Sequence, residues 1–243
     1  MSYVEARSLT RSLGVTQVLN DCSFTLERGT ITGVIGPNGS GKTTLFNVLT
    51  GYDQVDGGQI VFDGKDVTHL SCDRIARLGM VRTFQHPRIF PRLTVMQHMQ
   101  VVEPVSHGLQ RFLPGTHASS RAQHLLEFLG LLDKEGTAAD SLSYGQKKLL
   151  EIGCVLMTRP RVLLLDEPMA GLHPTTRSFL HARLRSLRVQ TGMTIMIIEH
   201  RSDIITTLCD SVIVLHHGTI LARGPAREIY HHPRVREAYV GEN

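Results

Sequence analysis

Nine consecutive residues, GPNGSGKTT from Gly36 to Thr44, restrict the possible folds of this chain more than any other stretch. Gly36, Gly41, Lys42 and Thr43 satisfy G-x-x-x-x-G-K-[S/T], with Pro37, Asn38, Gly39 and Ser40 between them and Thr44 following. The context is also the required one. TITGVIG before the loop reads as a short apolar strand, and KTTLFNVLTG after it has helical apolar spacing that ends at Gly51. In such a strand–loop–helix unit the glycines let backbone N–H groups curl around a β-phosphate. Lys42 then reaches the β- and γ-oxygens, and the Thr43 hydroxyl is placed to ligate Mg²⁺. The positive end of the helix dipole adds to the attraction.

The rest of the chain supplies the sheet that such a loop needs. The start, SYVEARSLTRSLGVTQVLNDCSFTLERGT, is strand-rich, with turn signals at Gly14 and Arg28-Gly29. GGQIVFDGKDV reads as a hairpin-like pair. The last third alternates RVLLLDEP, a helix over TTRSFLHARLRSLRVQTG, MTIMIIEH, a short helix over RSDIITTLCD, a hairpin from SVIVLHHG to TILARG, and one or two helices over PAREIYHHPRVREAYVG. Continuous apolar strands separated by helices predict a mainly parallel sheet covered on both faces. From about Pro87 to Leu150 the texture changes to helical spacing broken at Pro91, Pro104, Pro114 and Gly115, with RAQHLLEFLGLL the clearest amphipathic helix and 102–119 loop-like. The expected fold is α/β: a phosphate-loop core over 1–86 and 151–243, with an N-terminal antiparallel β region and a helical subdomain inserted at 87–150.

At 243 residues the chain is long enough for one such domain with a buried core. The net charge of +4 comes without a long Lys/Arg run or an aromatic-interleaved basic patch, so nucleic acid is not an expected partner. Cys22, Cys72, Cys154 and Cys209 are far apart and form no CxxC pair, which fits a reducing cytosol better than a disulfide framework or a zinc site. No signal-peptide pattern opens the chain, and no apolar run reaches membrane-spanning length.

Two strand ends carry further chemistry. LLLDEP puts Asp166 and Glu167 at the tip of a buried strand, where doubly wound sheets bind ligands. Asp166 suits a Mg²⁺ shell, and Glu167 suits a general base facing an attacking water. His200 closes MTIMIIEH at another strand tip of the same sheet, within plausible reach of a γ-phosphate. The adjacent pairs His216-His217 and His231-His232 point to opposite faces if extended and do not read as metal sites. LSYGQ at 142–146 is a second turn running into a helix, able to offer N–H groups and a hydroxyl to an anion or, more simply, to cap its own helix.

Taken together, the loop at 36–43, TFQ with Gln85, LSYGQ, LLLDEP, AGLHP at 170–174 and IIEH ending at His200 closely resemble the ATP-binding subunit of ABC transporters over essentially the whole chain. RTFQHPRIFPRLTV, LSYGQKKLLEIG, DEPMAGLHP and the ending REAYVGEN resemble the import ATPases for branched-chain amino acids, and LEIG leans slightly toward the related urea and amide importers. The resemblance implies MgATP hydrolysis at the interface of two subunits packed head to tail, as homo- or heterodimer. Ser143, Tyr144, Gly145 and Gln146 of one would then complete the site of the other. It assigns Gln85 to Mg²⁺ and the attacking water, His200 to γ-phosphate sensing, and Gly171, Leu172 and His173 to the loop following the acidic pair. It also implies separate permease subunits, an indirect solute-binding protein outside the cell, and a peripheral place on the cytoplasmic face of the membrane. Four positions depart from the family pattern: Leu13 stands where an aromatic usually stacks on adenine, His173 where Asp or Asn is common, Arg201 where an acid follows the switch histidine, and Tyr144 where glycine is commoner outside the amino-acid importers.

Overall fold

The computed structural model describes residues 2–103 and 120–240; most of the loop expected over 102–119 and the last residues of the ending REAYVGEN lie outside them. The chain divides into two compact units. The first comprises 1–82, 161–168 and 184–243, and the second 83–160 and 169–183.

In the first unit, β1 (Ser2–Leu13) and β2 (Thr16–Glu27) form an antiparallel hairpin, extended by β4 (Gly57–Phe62) and β5 (Lys65–Asp66) into a sheet of order β2-β1-β4-β5. The second sheet has the order β10-β9-β3-β8-β7-β6. Its strands are β3 (Ile31–Ile35), β6 (Met80–Arg82), β7 (Val162–Asp166), β8 (Thr194–Ile198), β9 (Ser211–His216) and β10 (Thr219–Pro225). All pairings are parallel except the edge hairpin β9–β10. β3, β7 and β8 are buried at every residue, which is why their sequences run apolar without alternation. Helix α1 (Lys42–Leu49) buries Leu45, Phe46, Val48 and Leu49 in one apolar cluster with Leu9, Leu19 and Phe62 of the first sheet and Leu164, Met196 and Ile213 of the second. Helices α2 (Cys72–Leu78), α7 (Ser202–Leu208) and α8 (Pro233–Val240) complete the unit. β3 lies at the centre of the second sheet, so the loop after it opens beside the carboxyl ends of β7 and β8, where ligands of such sheets bind.

The second unit is helical. α3 (Val95–Val101), α4 (Ser120–Phe128) and α5 (Tyr144–Met157) pack together, and Gly153 is the reason they come so close. A Cβ there would lie 3.0 Å from Leu129 Cδ1 and 3.3 Å from Met99 Sδ. The division differs from a helical insertion confined to 87–150. α5 continues past residue 150 without a break, so its whole length belongs to the second unit. The first half of α6 (Pro174–Thr191) belongs there too. Phe179 of α6 lies against Gly130, and the Arg183 guanidinium sits over the rings of Phe179 and Phe128 at 4.7 and 5.0 Å.

Candidate functional site

The phosphate loop leaves β3 at Gly36, where a side chain is sterically impossible: a Cβ would sit 2.0 Å from the Leu215 carbonyl oxygen. Gly41, at φ 102°, caps α1, and its Cβ would come within 2.7 Å of the Val18 carbonyl. Both glycines are therefore set by the packing of β2 and β9. Lys42 is only 7% exposed, and its Nζ donates to the carbonyls of Gly36 and Pro37 at 2.8 Å each. The ammonium is thus desolvated and held by the loop it serves. Ser40 Oγ is buried and has no hydrogen-bond partner among the described residues. A buried hydroxyl without a partner costs about 1–3 kcal/mol, and an anion in the loop supplies the acceptor it lacks.

The loop lines a cleft of about 200 Å³ with Val18, Glu167 and His200. That is smaller than the roughly 300–1,000 Å³ of a pocket that takes a drug-sized ligand. Glu167 reaches it through an unusual backbone. β7 ends at Asp166, and Glu167 takes a left-handed φ of 47° while its N–H donates to Ile198 O at 3.1 Å. That turn takes its side chain out of the strand's alternation. His200 lies two residues beyond the end of β8, and its Nε2 is 2.8 Å from Glu167 Oε1. The sequence-predicted pair therefore meets.

Asp166 is placed differently. It is 2% exposed, and its Oδ2 accepts from Arg82 Nη2 at 3.0 Å in an ion pair buried at both ends. Arg82 also donates to Asn47 Oδ1 on α1. Nothing in the sequence singled out Arg82; its only signal was a position just before TFQ at the end of an apolar strand. Val18 was missed for a similar reason, being one valine in an ordinary strand. Leu13 stands at the turn between β1 and β2, 48% exposed and outside the cleft lining. Tyr3, the nearest other aromatic to the chain start, cannot stack on a base. It is 5% exposed, edge-to-face on Phe62 at 5.3 Å, with the Arg28 guanidinium over its ring.

The remaining predicted residues lie in the second unit. Ser143 is the N-cap of α5: its Oγ accepts from Gln146 N at 3.3 Å, and Gln146 Oε1 accepts from Ser143 N at 2.9 Å. The helix starts at Tyr144, so its positive end lies in the LSYGQ turn itself. Gly145 faces Thr176 and Leu172, and Gly171, at φ 70°, faces the Tyr144 ring at 3.3 Å from a would-be Cβ. The turn and the 171–176 segment thus touch across two glycines. His173 Nδ1 accepts from Thr175 N at the start of α6. Gln85 is exposed, and the residues on either side of its segment, Phe84 and Arg88, donate their N–H groups to the buried Glu151. Burial pushes the Glu151 carboxyl up to about 7, against the pull of those two N–H groups and of the Lys148 and Arg88 charges. Arg201, where an acid was expected, pairs with Asp203 at 2.8 Å.

A family model described as "ABC transporter" matches residues 19–170. The chain is 37% identical to the high-affinity branched-chain amino acid transport ATP-binding protein BraF of Pseudomonas aeruginosa, covering 98% of each. It is 36% identical to the corresponding protein LivG of Escherichia coli K12, again covering 98% of each. Among solved structures, a nucleotide-free ATP-binding cassette from an ABC transporter matches over 100% of both chains, with a TM-score of 0.89 and 34% identity. The ADP conformation of an ABC transporter cassette matches with a TM-score of 0.87 and 34% identity.

Proposed function

The chain belongs to the ABC transporter family, and on that premise we propose that it is the ATP-hydrolysing subunit of an importer for branched-chain amino acids. It is a nucleotide-binding ATPase, as members of the family are. The cargo reading is supported by relatives whose names specify branched-chain amino acid transport over nearly their full length. The observation that carries the chemistry is the Glu167–His200 pair at 2.8 Å in the phosphate cleft.

In this reading Lys42 and the loop amides hold the phosphates, and Ser40 Oγ gains its missing partner. Glu167 takes the proton of the attacking water, and His200 keeps the carboxylate turned into the cleft. The oxygen donors Thr43 and Asp166 suit a hard cation such as Mg²⁺, and the motif pattern alone adds Gln85 to them. Bound there, Mg²⁺ supplies charge neutralisation for the transferred phosphoryl group. Ser143, Tyr144, Gly145 and Gln146 act on the nucleotide of a second subunit, with Gly171, Leu172 and His173 at the same interface. Val18 gives the cleft an apolar wall, and Leu13 stands in for the aromatic that the family pattern places against adenine. Permease subunits carry the solute, and an external binding protein selects it. No described helix is long and apolar enough to cross a membrane; in this reading the permease subunits hold the chain at the cytoplasmic face.

The test is ATP hydrolysis by the chain assembled with its membrane subunits and binding protein. Leucine, isoleucine or valine should stimulate turnover. Stimulation by urea or short amides alone would sink the amino-acid reading and leave the ATPase intact.

A further inference from the structure

Helix α5 carries a carboxylate in the middle of its apolar face. Glu151 lies between Leu150 and Ile152 and is 7% exposed. A leucine there would avoid the desolvation penalty that a buried charge incurs. What the carboxylate does instead is specific. Its Oε1 accepts the backbone N–H of Phe84 at 3.4 Å and of Arg88 at 3.3 Å. Both bonds are long, but they converge on one oxygen and bracket Gln85-His86-Pro87. The Arg88 guanidinium also lies over the Phe84 ring at 3.6 Å, so the two ends of the segment touch each other as well as α5. The same helix starts at Tyr144, about two turns earlier, capped by Ser143.

We propose that Glu151 is a positioning residue for Gln85, fixing both ends of the 84–88 segment to the helix that starts in the LSYGQ turn. The inference rests on the reading of Gln85 as a contact to Mg²⁺ and the attacking water. A displacement of Gln85 is then transmitted to α5, and a displacement of α5 to Gln85, through one buried oxygen.

The test uses the full-length protein with Glu151→Leu, Glu151→Gln, Gln85→Ala and the double variant Gln85→Ala/Glu151→Leu. Steady-state ATP hydrolysis and amide hydrogen exchange are measured on each. Glu151→Leu should lower kcat by about fivefold or more with KM for ATP within about twofold, the signature of lost transition-state positioning. Glu151→Gln keeps an acceptor oxygen and should restore most of that turnover. In the Gln85→Ala background, Glu151→Leu should add nothing, because the two act as one unit. The Phe84 and Arg88 amides should exchange faster in Glu151→Leu than in the parent. Parental kcat in a folded Glu151→Leu, a full additional loss in the double variant, or unchanged exchange of both amides overturns the proposal. Parental turnover by Gln85→Ala overturns the reading of Gln85 and the positioning role with it. A defective Gln85→Ala beside a fully active Glu151→Leu overturns the positioning role alone.

Discussion

Glu167 sits one residue past the end of β7 in a left-handed conformation, which non-glycine residues adopt at a cost of about 1–3 kcal/mol. The strain is offset by its N–H bond to Ile198 and yields a carboxylate aimed at the phosphate cleft. Glu167→Gln keeps the shape and the cradle but removes the proposed base. Turnover should fall about a hundredfold or more, while nucleotide binding, followed with a fluorescent analogue, persists. Lys42→Ala should do the reverse. It deletes the ammonium held on Gly36 and Pro37, and charge-assisted bonds to phosphate with it, so binding itself should weaken by about tenfold or more. Glu151 gives a pH signature of its own. Its carboxyl is raised from 4.5 to about 7 by burial, so between those values the folded state binds more protons than the unfolded one. The contribution of Glu151 to stability therefore declines as pH rises from about 4.5 to about 7, by roughly 3 kcal/mol, and levels off above. Glu151→Gln removes this contribution. Denaturant midpoints at pH 5 and pH 8 should show the variant gaining on the parent at the higher pH, and equal differences at both would refute the assignment.

Elements divide into those their sequences announce and those only packing decides. β3, β7 and β8 were legible because a strand buried on both faces must be apolar throughout, and α5 because Ser143 and Gln146 stand at capping-box spacing. β1 was less so. Register shifts between Ser2 and Val4 and between Ala6 and Leu9 break the two-residue period, so burial of Tyr3 could not be read from alternation. The first half of α6 meets the second unit through contacts such as Phe179 with Gly130 and Thr176 with Gly145, between distant segments that neither segment signals alone. The buried Arg82–Asp166 pair joins β6 to β7, adjacent in the sheet and far apart in sequence, and was illegible for the same reason. The β1–β2 hairpin bears on base recognition. With Tyr3 locked in the core and Leu13 aliphatic, the hairpin presents no aromatic face to adenine at either position. GTP should then be hydrolysed within roughly tenfold of ATP, a discrimination of about 1.4 kcal/mol. Initial rates with the two nucleotides decide it, and a hundredfold ATP preference would require a stacking partner elsewhere.

At the scale of the whole molecule, the phosphate cleft is lined by the first unit alone, while Ser143 is exposed at the start of α5 in the second. In a head-to-tail pair, damage to LSYGQ in one chain is felt in the site of the other. Lys42→Ala removes the cradle of its own site, and Ser143→Arg puts a bulky cation into its partner's. Each variant alone should be nearly inactive. In a mixed pair both lesions fall in one composite site and the other site carries neither, so mixing the two should restore ATP hydrolysis if one site can turn over without the other. Trapped nucleotide gives the physical counterpart. On the proposed two-chain site, Glu167→Gln would hold ATP without consuming it and each ATP would contact phosphate-binding groups of both chains, so saturating MgATP should shift it from monomer to dimer by mass action. Sedimentation with and without MgATP reads this directly. A Glu167→Gln chain that stays monomeric at saturating MgATP, both alone and assembled with its membrane subunits, would sink the two-chain site, because no nucleotide contact would then cross between copies.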